Sequence, residues 1–544
     1  MNINTSIYCK HPINYVHYEY SMIRKHNKSA LFHAKPGFTI VELLIVIIVI
    51  AVLAAITIVA YNGIANRANT AAILSDLSQA SKKLSTYKTT SSSETFPTAL
   101  GDAGVTSAPS VSGSTYTYNR SSNGTAFCLA AVYRGISYVT SNNLLTPTTG
   151  VCEGEVAVTG DGILANIIPL KTISSGDRHT CVIRGSQVLC WGWNAFGQIG
   201  NGLTANATTA VNIASSGSLA GKTVQEVAMG GFFSCALASG APYCWGNGDS
   251  GQMGNGTTVG SYTPIPVTTS GVLNGKTLRT ISVGPHKACV VGDGKVYCWG
   301  QGTSGQLGDG TGGTQVLPVE VDSTGALSGK TVTAVSAEGF RHACALADGK
   351  PYCWGYNSSS NLGDGTSTQR NSPVAVNTSG VLNGKTATAI ATAPWGSHVC
   401  VIADGSLYCW GANNVGQLGD GTTTQRSTPV AVSTSGVLSG KTISAVALGG
   451  SHTCALADGA VYCWGDNSLG QIGDGTNTQR TSPVAVTTSG ALNGKTIKAI
   501  SAGGGHTCAI ATDNSAHCWG YNDNSQLGNG NTTNQTLPVT LTLP

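Results

Sequence analysis

The sequence predicts a mainly β protein, a seven-bladed β-propeller preceded by an N-terminal membrane-crossing helix and a small α+β region. Three observations carry this. The tripeptide CWG recurs with its cysteine at 190, 244, 298, 353, 409, 463 and 518. Fourteen of the 17 cysteines fall in pairs nine or ten residues apart, one pair per repeat. A basic stretch ending at Gly37 runs into an apolar segment in which Thr57 is the only polar side chain from Leu43 to Ala60. The organisation expected is 1–37 leader, 38–90 helix, 91–160 small β region and 161–544 propeller.

Composition narrows the function classes. Hydrophobic types make up 41% and Gly 72 of 544 residues, which excludes both a charged disordered chain and an all-apolar membrane bundle. Lys and Arg number 29 against 25 Asp and Glu, a net charge of +4. Residues 1–37 alone supply that +4, through Lys10, Arg24, Lys25, Lys28 and Lys35 against Glu19. The remainder is balanced, so no basic field is left to hold nucleic acid.

Taken in chain order, the first element is the basic leader running into FTIVELLIVIIVIAVLAAITIVAYNGI. Its length suits a bilayer-spanning helix with the Lys and Arg side cytoplasmic. The small residue that could mark a cleavage site precedes the apolar run, unlike a secretory signal. The string KPGFTIVELL resembles the leader of type IV prepilins and pseudopilins. That resemblance implies cleavage between Gly37 and Phe38 by a prepilin peptidase, N-methylation of Phe38, and retention of the helix in the inner or cytoplasmic membrane before assembly. Glu42 places a carboxylate inside this helix, which costs a few kcal/mol unless a partner offsets it. In the pilin family the matching acid meets the N-terminus of a neighbouring subunit, so Glu42 is expected to serve assembly with other pilins.

The helix is expected to continue, because Ile73, Leu77, Ala80, Leu84 and Tyr87 recur at steps of four and three. Residues 91–115 read as a loop, and TYTYN, AFCLAAVY and ISYVT as short strands. Cys128 and Cys152 are expected to close a loop there.

From residue 171 onward the repeat period of 54 to 56 residues signals units that bury their faces by stacking on neighbours. In one unit, TISAVAL, HTCALA, AVYCWG and SPVAV read as four strands, with Asp458 and Gly459 forming a two-residue hairpin turn. Counting outward from that turn sets residue 454 opposite 463 at a non-hydrogen-bonded site, where Cα atoms approach to about 4.5 Å, within disulfide range. The same count predicts Cys181 with Cys190, Cys235 with Cys244, Cys289 with Cys298, Cys344 with Cys353, Cys400 with Cys409, Cys454 with Cys463 and Cys508 with Cys518. Metal ligation would want ligands two to five residues apart, and no metal or other cofactor is expected. His179, His286, His342, His398, His452 and His506, just before the first cysteines, read as structural hydrogen-bonding residues.

The consensus HxCALxDGxxYCWGxNxxGQLGDG resembles the regulator of chromosome condensation repeat, over roughly residues 165–544. The resemblance implies a seven-bladed propeller, in a family that includes a secreted bacterial β-lactamase inhibitor and a eukaryotic exchange factor. The cysteine pairs are additional to the usual repeat and agree with an extracytoplasmic location. Closure is expected through Leu537–Leu541 completing a blade with the strand around Leu170–Ser174.

Two motifs invite chemistry and fall short of it. The GKT strings have three residues between their glycines where a phosphate loop has four, so their lysines (Lys222, Lys276, Lys330, Lys385, Lys441 and Lys495) read as a solvated ring. A single Asp in each GDGT loop (Asp309, Asp364, Asp420, Asp474) reads as a turn former rather than a calcium ligand. No catalytic constellation stands out, and enzyme activity is not expected.

Function should lie where repeats depart from one another. Departures cluster in the turns between strands 1 and 2 and after CWG, which the strand directions put on one face. There the sequence places Arg178, Trp193, Phe196, Phe232, Phe233, Phe340, Arg341, Tyr356, Trp395 and Tyr521, the aromatic and Arg mixture of contact hot spots. The expected protein is a minor or tip pilin-like surface protein whose propeller binds an extracellular protein or glycan. The alternatives are a secretion pseudopilin and a tethered propeller inhibiting a secreted enzyme.

Overall fold

A computed structural model describes short segments between residues 72 and 149, and residues 173–541 apart from 186 and 214–216. Gly37, Phe38, Glu42, the apolar run and Cys152, with its expected pairing to Cys128, lie outside the described residues. Described residues between 72 and 88 are helical; they bury Ile73, Leu77, Ala80 and Leu84 and expose Gln79, Lys82 and Lys83. Four of the five residues of the stripe read from the sequence are thus buried, and Tyr87 is half-buried. Strands β1 (Thr115–Arg120), β2 (Phe127–Tyr133), β3 (Ile136–Ser141) and β4 (Leu144–Thr149) form an antiparallel sheet in chain order.

Seven further four-stranded sheets follow, each built from consecutive strands. Blade 1 comprises β5 (Ile173–Ser175), β6 (His179–Arg184), β7 (Gln187–Gly192) and β8 (Ala207–Asn212). Blades 2 to 7 start at Val224, Leu278, Val332, Ala387, Ile443 and Ile497. In blade 6, Asp458 and Gly459 both have positive φ, 51° and 75°, which is the turn that matches strand twist. The register then pairs Cys454 with Cys463, as it pairs the two cysteines of every blade. All seven pairs are disulfide-bonded, with Cα atoms 4.0 to 4.1 Å apart.

The ring is not closed by a shared blade, contrary to expectation. Strand Gln535–Thr540 pairs within blade 7, His517 with Thr540 and Cys518 with Val539, while Ile173–Ser175 pairs with His179–Arg184 in blade 1. The outermost strand follows CWG in the same blade, so no strand is missing from either end.

Closure comes from side chains between blades. The buried CWG indoles donate to a backbone carbonyl of the preceding blade: Trp245 to Gln198, Trp299 to Gln252, Trp354 to Gln306, Trp410 to Asn361, Trp464 to Gln417 and Trp519 to Gln471, at 2.9 to 3.1 Å. Trp191 donates likewise to Gln526 O at 2.9 Å, across the joint of first and last blades. The glycine two residues after each acceptor is dictated by this packing: Gly419 has φ 69°, and a Cβ there would approach Trp464 Nε1 within 3 Å.

A second ring uses histidine. His452 Nε2 bonds Thr507 Oγ1 of the next blade at 2.9 Å, and that hydroxyl donates to Gln471 O. His398 with Thr453, His506 with Thr180 and His179 with Ser234 repeat the imidazole contact. Because the Thr507 hydroxyl spends its proton on the carbonyl, the imidazole donates from Nε2, and its burial favours the neutral form. The innermost strands meet similarly, Met229 N donating to Ser174 Oγ and Ser175 N to Ser501 Oγ.

Two outcomes follow from this packing. Trp464→Ala, which empties a fully buried site between blades 5 and 6, should lower stability by about 3–5 kcal/mol in denaturant titrations. Burial pushes His179, His342, His398 and His506 down to about 3, and His452 to about 4, from 6.5. The unfolded chain then binds more protons, so stability is intact above pH 6.5 and declines as pH falls toward 4. The thermal midpoint should drop over that range, and His452→Gln should make the drop shallower; a midpoint flat with pH would contradict the neutral ring.

Candidate functional site

The turns between strands 1 and 2 and the loops after CWG meet on one face, and their aromatic side chains form a continuous network. Trp193 contacts Phe196 and Phe232 edge-to-face at 5.5 and 5.8 Å, and Phe232 reaches His286 at 5.3 Å and Trp395 at 5.5 Å. Phe340 stacks on Trp395 with centroids 4.7 Å apart and planes 26° from parallel. Trp395 belongs to blade 5 and Phe232 to blade 2, so the indole lies across the mouth of the propeller axis. Guanidinium groups flank the network, Arg178 at 5.6 Å from Trp193, and Arg341 at 4.9 Å from Phe340 and 6.0 Å from Tyr356. Arg178 also pairs through Nε with Asp177 Oδ2 at 3.3 Å, and a guanidinium over an aromatic ring has further donors with which to meet a partner's acceptors.

Phe196 and Trp395 are the exposed members, at 37% and 36%. Trp395 holds φ at 59°, a left-handed conformation that is a true outlier for a bulky residue. Tyr521 lies outside this network, on the blade 7 loop beside Gly505, its hydroxyl raised by burial and by Asp523.

Phe233 requires correction, because it is completely buried in the core between blades 2 and 3 and presents nothing to a partner. Alternation explains it: Phe233 begins strand 2, so its side chain points opposite to that of Phe232. His286 is corrected too. Counting two residues back from each first cysteine gives His179, Phe233, Lys287, His342, His398, His452 and His506, so His286 is displaced onto the surface loop. Lys287 takes its place in the ring. It is fully buried, and that burial pushes its amine down to about 7. Alignment on the cysteine rather than on histidine would have found it.

The GKT lysines are not simply solvated. Lys441 Nζ lies 5.6 Å over the Tyr462 ring and 3.6 Å from Asp458 of the hairpin turn, and Lys385 is held the same way by Tyr408 and Asp404. In the GDGT loops the carboxylates serve the turn. Asp474 Oδ1 accepts from Thr476 N at 3.0 Å and from Asn467 Nδ2 at 3.1 Å, and Arg480 occupies Oδ2. Among the described residues no cluster of three His, Cys, Asp or Glu could hold a metal ion, and no helix is long and apolar enough to cross a membrane.

Comparison with known proteins places this architecture. The RCC1-like domain matches residues 273–543, and the regulator of chromosome condensation (RCC1) repeat matches 186–237 and 239–291. A prokaryotic N-terminal methylation motif matches residues 33–58. The ultraviolet-B receptor UVR8 of Arabidopsis thaliana is 31% identical over 371 residues, 67% of this chain and 80% of that protein. The human E3 ubiquitin-protein ligase HERC2 is 30% identical over 65% of this chain, which spans only 7% of that protein. Human WBSCR16 superposes with a TM-score of 0.57 at 20% identity, covering 66% of this chain and 95% of that one. Prp20p of Saccharomyces cerevisiae gives 0.55 at 20% identity, covering 68% and 88%.

The burial difference between neighbouring aromatics is directly measurable. Phe233→Ala should cost about 3–5 kcal/mol in denaturant titrations, as a core deletion does. Trp395→Gly should stay within about 1 kcal/mol of the parent, since relief of the left-handed backbone offsets the lost ring contacts.

Proposed function

We propose, on the premise that the chain belongs to the regulator of chromosome condensation (RCC1) repeat family and carries a prokaryotic N-terminal methylation motif, that it is a minor or tip type IV pilin-like protein. Its propeller binds a protein or glycan outside the cell and catalyses no reaction. The observation that carries the recognition role is the network from Trp193 to Trp395, rimmed by Arg178 and Arg341, on the one face where the repeats diverge. Aromatic and arginine side chains supply contact area and directional bonds with little entropy to lose, which is why they dominate binding hot spots.

Two features support the address. Seven buried disulfides suit an oxidising compartment. The methylation motif spans Gly37, Phe38 and Glu42, the processing and assembly positions. A head of this size would crowd every subunit of a tight helical shaft, which favours a sparse subunit at the tip.

Immunogold labelling of the propeller on intact cells should give gold at filament tips. Gold spread over the envelope with none on filaments would overturn the pilin reading in favour of a tethered propeller, and gold confined to a secretion apparatus would favour a pseudopilin. Glu42→Ala should leave the protein in the membrane and reduce its filament incorporation at least tenfold, measured by immunoblot of sheared filaments.

A further inference from the structure

The imidazole ring runs unbroken through blades 5, 6, 7 and 1 and fails in blades 2 to 4. Those places hold Phe233, Lys287 and His342, and the residue each would meet in the next blade is Ala288, Ala343 or Val399, none with a hydroxyl. Over this same sector lie Phe232, His286, Phe340 and Trp395. Lys287 links the two levels. Its Nζ is buried and donates to the carbonyl of Gly339, in the turn that carries Phe340 and Arg341. Gly284 makes room, since a Cβ there would stand 3.0 Å from Nζ.

Gly339 is gripped from the other side as well. Its N–H donates to Thr392 Oγ1 at 2.8 Å, and it forms an isolated antiparallel bridge with Pro394, the residue before Trp395. Lys287 of blade 3, the Gly339 turn of blade 4 and the Pro394 turn of blade 5 are therefore one connected unit, and the stacked pair Phe340 and Trp395 sits directly on it. A buried ammonium is costly to desolvate, and an apolar side chain would avoid that cost. The left-handed backbone at Trp395 likewise persists only where its surroundings over-determine it.

We infer that Lys287 is a positioning residue: by holding the Gly339 carbonyl it fixes the Phe340 turn, stacks Phe340 on Trp395, and so sets the shape of the aromatic lid across the propeller mouth. The importance of that shape rests on the recognition role proposed above; the stack itself can be read without any partner.

The test uses the full chain in detergent micelles, labelled with 5-fluorotryptophan at its nine Trp positions and observed by fluorine NMR. Trp395→Phe assigns the Trp395 resonance, and Phe340→Ala marks its position when unstacked. Lys287→Met and Lys287→His should each move that resonance toward the unstacked position, leave the other eight in place, and not lower the thermal midpoint. Should the Met variant fail to fold, the His variant, carrying the residue found in five other blades, decides the matter. An unmoved Trp395 resonance in a folded variant overturns the inference, as does a shift of all nine, which would make Lys287 a plain fold determinant. Neither outcome depends on where the protein is displayed, so gold labelling and this experiment can fail separately.

Discussion

Everything in the propeller depends on one bond made seven times, from a buried indole N–H to a backbone carbonyl of the preceding blade. A sheet four strands wide cannot bury both faces alone, and a large flat side chain with a single donor is a good solution. It fills the gap between sheets and satisfies one orphan carbonyl at the same stroke. Its demands propagate outward. The glycine beneath each indole must lack a Cβ. The Asn of the following loop, such as Asn467, must organise its turn by donating to Asp474, Thr476 O and Thr478 O. Much of the repeat consensus is thus the set of conditions for seating one tryptophan.

Given that frame, asymmetry becomes informative. Four blade junctions carry the imidazole to hydroxyl contact and three do not, and the aromatic lid stands over the three. The junctions that give up the polar ring are held instead by apolar packing around Phe233 and by the Lys287 link to Gly339. Loss of regularity beneath and gain of aromatic surface above are two sides of the same departure from the repeat.

Much of this was legible in the residues, and the reasons are local. A two-residue Asp-Gly turn fixes hairpin register, and register fixes the cysteine pairing. Strand direction alone put the turns carrying Phe232, Phe340 and Trp395 together. What escaped was anything decided by a neighbouring blade. Phe232 and Phe233 look equivalent in sequence, but period-two alternation sends Phe232 to the half-buried aromatic network and Phe233 into the core. Lys287 was hidden because a histidine lies one place away. Closure was misjudged because no PV strand precedes the first GKT-like strand and no GKT strand follows the last PV strand, so the two were read as partners although each unit already holds four strands. The lysines seemed free because the Tyr and Asp that hold them come from a hairpin further along the chain, as with Lys441, Asp458 and Tyr462.

The self-contained blades have a mechanical corollary. In a ring latched by a shared strand, tension on the tether is resisted by a ladder of backbone bonds in shear. Here traction on the N-terminal side of blade 1 loads strand Ile173–Ser175, which is held across the joint by Ser501, while the His506 to Thr180 contact holds the strand next to it. That strand can peel, but unravelling then meets the Cys181–Cys190 crosslink, which prevents the second and third strands from separating along the chain. Each blade carries its own such stop, so a load would be shed in short steps rather than in one rupture.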